Sequence, residues 1–166
     1  MQDSNLKNRS IPAEPLVSIC PVGQVFPLPA KDDYDREFDR IQQIVQEQRR
    51  LGREIVLVMG VGFVGSVMAG VIADTFYPSS GKPTKFVMGM QRPSARSFWK
   101  ISYLNQGLAP VEAEDPEVAP LIYRCVKEKK TLIATFIYEA LSLADVVVVD
   151  VQCDYHKESQ IGRAHV

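Results

Sequence analysis

The chain has 166 residues, 46% of them hydrophobic and 23% charged, with a net charge of -1. That is enough for one domain with a real core, and it gives no general attraction for nucleic acid or for an anionic membrane. No apolar run reaches membrane-spanning length, and the opening residues "MQDSNLKNRS" are too polar for a secretory signal.

Residues 1 to 31 hold five prolines, at 12, 15, 21, 27 and 29, and read as an irregular arm. Asp32 to Leu51 reads as an amphipathic helix. Tyr34, Phe38, Ile41, Ile44, Val45 and Leu51 recur at helical spacing, Asp32 or Asp33 can cap the start, and Gly52 follows the end. Residues 1–53 are thus taken as an arm and helix, and 54–160 as the main domain. Glu54 to Met59 is a short β-branched strand, and Phe63 to about Phe76 is a helix. "YPSSGKPTK" is a turn and Phe86 to Met90 a second strand. Residues 93 to 106 are read as helical after Pro93. Pro116 to Lys129 is a stronger helix capped by Asp115. Leu132 to Thr135 is a third strand, Ile137 to Leu143 a short helix, and Val146 to Val151 a fourth strand. That last strand is continuously apolar and so expected to be buried on both faces. Strands alternating with helices predict an α/β fold: a Rossmann-like, doubly wound parallel sheet, incomplete, with the arm and helix before it.

The last six residues, "IGRAHV", match the in-frame translation of a common sequencing-library adapter. The expectation is a truncated coding sequence ending near Ser159 or Gln160, so residues 161–166 and His165 are left out of the fold reading.

The glycines between the first strand and its helix carry the chemistry. In "GVGFVG", Gly60, Val61, Gly62, Phe63, Val64 and Gly65 join a buried strand to a helix that opens at once. In a dinucleotide-binding unit the first glycine allows the tight turn. The second lets backbone approach a pyrophosphate, and the third lets helix pack on strand. Ala69 and Ala73 extend the close-packing face. The helix N-terminus offers unpaired N–H groups and a positive dipole end. No GK[ST] follows, which disfavours nucleotide hydrolysis. The fingerprint calls for an acidic residue at the end of the second strand, on the ribose hydroxyls. Gln91 stands there, with Arg92 and Arg96 close behind. Glutamine can bond a hydroxyl without repelling a phosphate, so NAD is the expectation and NADP stays open.

Five stretches resemble the nucleotide-sugar dehydrogenase family, the UDP-glucose and UDP-N-acetylmannosamine dehydrogenases. They are "IVLVMGVGFVG", "GMQRPSAR", "LNQGLAPVEAEDPEV", "LIATFIYEALSLADVVVVDV" and "VQCDY", spanning roughly Ile55 to Tyr155. The match to Val151, Gln152 and Cys153 in the cofactor loop is by position only, because the usual Thr-Pro is absent. The resemblance implies an NAD-dependent oxidoreductase that turns the 6-hydroxyl of a UDP-sugar into a carboxylate, through thiohemiacetal and thioester intermediates on a cysteine. It also implies a role in polysaccharide biosynthesis, a cytoplasmic location and a homo-oligomer at full length. The family's catalytic cysteine and lysine fall in later domains, so no catalytic residue is assigned and the fragment is expected to lack activity. Cys20, Cys125 and Cys153 are odd in number and widely spaced, which is no disulfide framework. Cys125 reads as core, and Trp99, Phe98 and Tyr103 as packing over the sheet. One natural histidine, His156, makes a metal site improbable. Two other functions fit the same glycine turn. One is another two-domain NAD(P)-dependent hydroxy-acid or hydroxyacyl dehydrogenase. The other is a non-catalytic NAD-sensing module whose leading helix docks a partner.

Overall fold

In a computed structural model of the chain, residues 16–151, 153–156 and 161–164 are described, the last two stretches as backbone strands. Four parallel strands form the central sheet. They are β3 (Glu54–Met59), β4 (Lys85–Met90), β5 (Leu132–Thr135) and β6 (Val146–Val149), in the spatial order β5-β4-β3-β6. The order reverses between β3, the first of this sheet's strands in sequence, and β6, its last. That reversal is the switch point of a doubly wound sheet, where a crevice opens beyond the strand ends.

β3 and β4 are buried throughout their middles because helices cover both faces of the sheet. Helix α1 (Lys31–Arg50) contributes Ile41 and Val45, both essentially inaccessible, to the same core as Ile55, Leu57, Phe86 and Met88. Its apolar stripe is therefore covered by the chain's own sheet. Neither Asp32 nor Asp33 is the cap residue: Ala30 is, and the Asp33 carboxylate accepts the Ala30 N–H at 2.7 Å. At the other end Gly52, at φ +76°, sends its N–H to Arg49 O while Arg53 N–H reaches Gln48 O, a Schellman closure. Arg49 then bonds Asp145, whose other carboxylate oxygen accepts Ile55 N–H, tying α1 to the start of β3.

Helix α2 (Phe63–Ala73) crosses from β3 to β4 and ends three residues before Phe76, which pairs instead with Pro83 across the turn. Gly70 lets α2 approach helix α4 (Val118–Tyr123), where Leu121 and Ile122 lie 3.1 Å from the place a Cβ would take. The stretch 93 to 106 is helical only from Phe98, in α3 (Phe98–Asn105), because Pro93 to Ser97 form a hydroxyl-bonded turn. Pro116 does not open the next helix either. Asp115 accepts Glu117 N–H at 2.9 Å in a turn of its own, the helix begins at Val118, and it widens into a π turn over Arg124–Glu128. A 3₁₀ helix, Tyr138–Leu143, leads into β6.

Three expectations are corrected. The arm is not wholly irregular: β1 (Val17–Ile19) and β2 (Val25–Pro27) form an antiparallel hairpin around a turn at Gly23. Trp99 and Tyr103 do not pack over the sheet. They close on Cys20 and Phe26 of that hairpin as a second small core, and only Phe98 also touches the main one. The fourth strand stops at Val149 and is not buried on both faces. Val146, Val147 and Val149 are 42%, 43% and 62% exposed, because β6 is the sheet's edge. Beyond it, β7 (Cys153–His156) and β8 (Ile161–Ala164) pair antiparallel, so the segment left out of the fold reading supplies a strand.

Candidate functional site

The ends of three adjacent strands build the site. The sheet's ladder continues one step past each strand: Gly60 N–H donates to Met90 O, Asp150 N–H to Met59 O, and Gln91 N–H to Thr135 O. These bonds hold Gly60, Gln91 and Asp150 side by side at the carboxyl edge of the sheet.

Gly60 sits at φ +97°, and a Cβ there would lie 1.9 Å from Asp150 O. Gly65 is equally forced, with its missing Cβ 1.9 Å from Gly60 O and 2.8 Å from Asp150 Oδ2. The first and third glycines are thus required by the protein itself. Gly62 is different. It has ordinary backbone angles, and nothing lies within 4 Å of where its Cβ would be. The protein places no neighbour there, as a site for a close-approaching ligand requires.

Gly62 is also the N-cap of α2. No side chain caps this helix, and the first bond back into it is Ser66 N–H to Gly62 O at 3.1 Å. The leading N–H groups, on Phe63, Val64 and Gly65, therefore stand ready for an anion. The side chains of Phe63 and Val64 are exposed, and Val61 is fully buried with its N–H donating to Gln91 Oε1 at 3.1 Å. Gln91 thus turns inward onto the glycine loop.

Over this edge opens a cleft of about 510 Å³ lined by Gly60, Gly62, Gln91, Arg92, Arg96 and Val151, six of the residues singled out from sequence. Ser94, Ser97, Lys100 and Asp150 line it too, and sequence reasoning missed them. Asp150 had a signal, since an acidic residue at the end of a valine run sits where a strand meets the crevice. Lys100 had none, because its place depends on where α3 starts. Its ammonium lies 5.8 Å from the centre of the Trp99 ring, and burial lowers its pKa. Gln152 falls outside the described residues, and Cys153 begins β7.

The cysteines with described side chains offer no activated nucleophile. Burial, reinforced by the Asp74 carboxylate, pushes the Cys125 thiol up to about 11. Burial alone would raise Cys20 as well. The Tyr103 hydroxyl, 3.1 Å from its sulfur, and backbone N–H groups outweigh that and lower it, but the thiol stays closed in the second core. No group of three or more metal-ligating side chains occurs among the described residues. No helix among them is long and apolar enough to cross a membrane.

No protein-family model matches the chain, and no curated protein matches it. Among solved structures it is similar to the NDP-N-acetyl-D-galactosaminuronic acid dehydrogenase of Methanosarcina mazei Go1, with a TM-score of 0.55 and 28% identity. The likeness covers 72% of this chain and 23% of that one, so the chain spans about a quarter of its neighbour's length. Motifs and architecture agree: this chain is similar to the nucleotide-sugar dehydrogenases, and its parallel sheet is theirs in kind.

Proposed function

We propose that the chain is the dinucleotide-binding portion of a nucleotide-sugar dehydrogenase, an oxidoreductase that converts the 6-hydroxyl of a UDP-sugar to a carboxylate. The observation that carries this is the contrast among the three glycines. Two are demanded by backbone contacts at 1.9 Å, while Gly62 keeps open space above an uncapped helix. A pyrophosphate fits that cradle: the N–H groups of the α2 first turn would hold it, and Arg92 and Arg96 flank it. The bound nicotinamide would supply the hydride acceptor. The chain's part is to bind the dinucleotide, orient it along the strand ends and hold it against the switch point between β3 and β6. Oxidation of the sugar also needs a held substrate and an activated thiol, and the described cysteines supply none. In this reading the chain alone binds the dinucleotide without turnover.

Calorimetry of the whole chain with NAD and NADP tests the reading, alongside a UDP-glucose oxidation assay. Gly62→Ala should weaken binding about tenfold or more while shifting stability by less than about 1 kcal/mol, since its methyl meets no protein atom. Absence of binding to either dinucleotide, or a Gly62→Ala chain that binds like the parent, refutes it. Turnover by the chain alone refutes the second half. The sensing-module alternative loses its structural motive, because the apolar face of α1 is already buried against the sheet.

A further inference from the structure

The cleft carries more positive charge than a pyrophosphate at a helix end requires. Arg92, Arg96 and Lys100 line it, and among the described residues one carboxylate, Asp150, lines it with them, in a chain whose net charge is -1. The cations are also on one side. All three follow β4, in the turn and the first turn of α3, whereas Asp150 follows β6 and lies beneath Gly65.

The end of β4 is where a dinucleotide-binding sheet meets the adenosine ribose, and a carboxylate there rejects a phosphate on that sugar. Here no carboxylate is present. Gln91 stands in its place, and its side chain is spent on the Val61 N–H and on Ser97 Oγ at 3.4 Å. The chain then turns tightly. Ser97 and Phe98 N–H both reach Ser94 O, the two serine hydroxyls meet at 2.7 Å, and Ser97 Oγ–H donates to Arg92 O at 3.1 Å. This turn fixes two guanidinium-bearing residues and two hydroxyls at the rim of one cleft, with Lys100 one helical turn on. Arginine and hydroxyl groups around a strand end match a dianionic phosphate, not a neutral diol.

We infer, building on the dinucleotide reading above, that the cleft selects a dinucleotide bearing a 2′-phosphate on its adenosine ribose, held by Arg92, Arg96 and Lys100. The dianion would meet Arg92, Arg96 and Lys100, and Asp150, the lining carboxylate among the described residues, lies at the far strand end. The ligand is thus NADP in preference to the NAD that the family resemblance implies.

Calorimetry of the full chain with NADP, NAD and UDP-glucose at low and high salt tests this. The expected result is NADP binding about ten- to a hundredfold tighter than NAD, the range of a charge-assisted hydrogen bond to phosphate. That ratio should shrink as salt rises. An Arg92→Ala, Arg96→Ala double variant should lose the ratio, its NADP affinity falling to that of its NAD affinity, with circular dichroism melting to verify the fold. The wild-type ratio decides the matter even if the variant does not fold. NAD binding as tightly as NADP overturns the inference and leaves the dinucleotide reading standing. UDP-glucose binding that the arginine variants abolish, with the two dinucleotides alike, overturns it in favour of a sugar-nucleotide diphosphate. Failure of both dinucleotides to bind removes inference and reading together.

Discussion

Single residues in this fold separate into those the protein needs and those a ligand needs, and glycine shows the difference most sharply. Gly65→Ala would drive a methyl into the carbonyl of Gly60, and overpacking against backbone costs on the order of 3 kcal/mol. Urea unfolding should place Gly65→Ala well below the parent and Gly62→Ala beside it, although the sequence motif treats the two alike. Asp74 is a second case. Arg124 binds its carboxylate through two hydrogen bonds at 3.0 and 2.9 Å and Lys129 adds one at 2.7 Å, which together hold its pKa at about 2. A depressed carboxylate pKa stabilises the fold above the unfolded value and loses that contribution as pH falls from about 4 to about 2. The side chain is partly open to solvent, so the contribution is about 1 kcal/mol after screening. Asp74→Asn should therefore be less stable than the parent at pH 7 and equal to it near pH 2 by urea titration. A gap that persists at pH 2 would mean that the Asp74 contribution is not its charge.

At the scale of elements, what was legible in the sequence is what periodicity and turn chemistry control. β3 and β5 fall where alternation and β-branching put them, and α1 is off by a single residue at each end. Asn105 and Gly107, noted only as a family pattern, gain a physical role. The Asn105 amide pairs with both the N–H and the C=O of Ala134, closing the free edge of β5, and Gly107 ends α3 at φ +77°. The hairpin was illegible. Its strands have three residues each, too short for alternation to register, and five prolines in the segment argue for coil. It forms because Phe26 and Cys20 find Trp99 and Tyr103, a contact between distant parts of the chain that no local window contains. The same blindness hid Lys100 and the two serines of the site, whose positions follow from where α3 starts. Trp99 is the sole tryptophan, so it reports on this second core directly. Phe26→Ala should cost roughly 3 kcal/mol and shift Trp99 fluorescence to longer wavelength before the main transition. Coincident transitions would show that the hairpin and the sheet unfold as one unit.

For the whole molecule, the sheet's order decides which face is exposed. β3 and β4 are flanked on both sides by strands and covered by α1 and α2, which is why continuous apolar runs are stable there. β6 has the most uniform apolar run in the chain, yet among the described residues it pairs only with β3 and leaves Val147 and Val149 open on one face. Apolar continuity signals a parallel strand and says nothing about whether that strand is central. An uncovered strand edge lined by valine is a template for pairing with another chain. The chain should therefore associate as its concentration rises, through β6. Val147→Lys with Val149→Lys places two charges on the open face and leaves Val148, which packs on the core, untouched. Light scattering after size exclusion should show the parent growing in mass with concentration and the double variant staying monomeric. Calorimetry on the same samples should give the same dinucleotide affinity for both. A parent that stays monomeric at every concentration would show that β6 is sufficiently guarded by the strands that follow it. Unchanged association in the double variant would place the contact elsewhere. If association alone changes, the open edge and the dinucleotide cleft are independent features of one sheet.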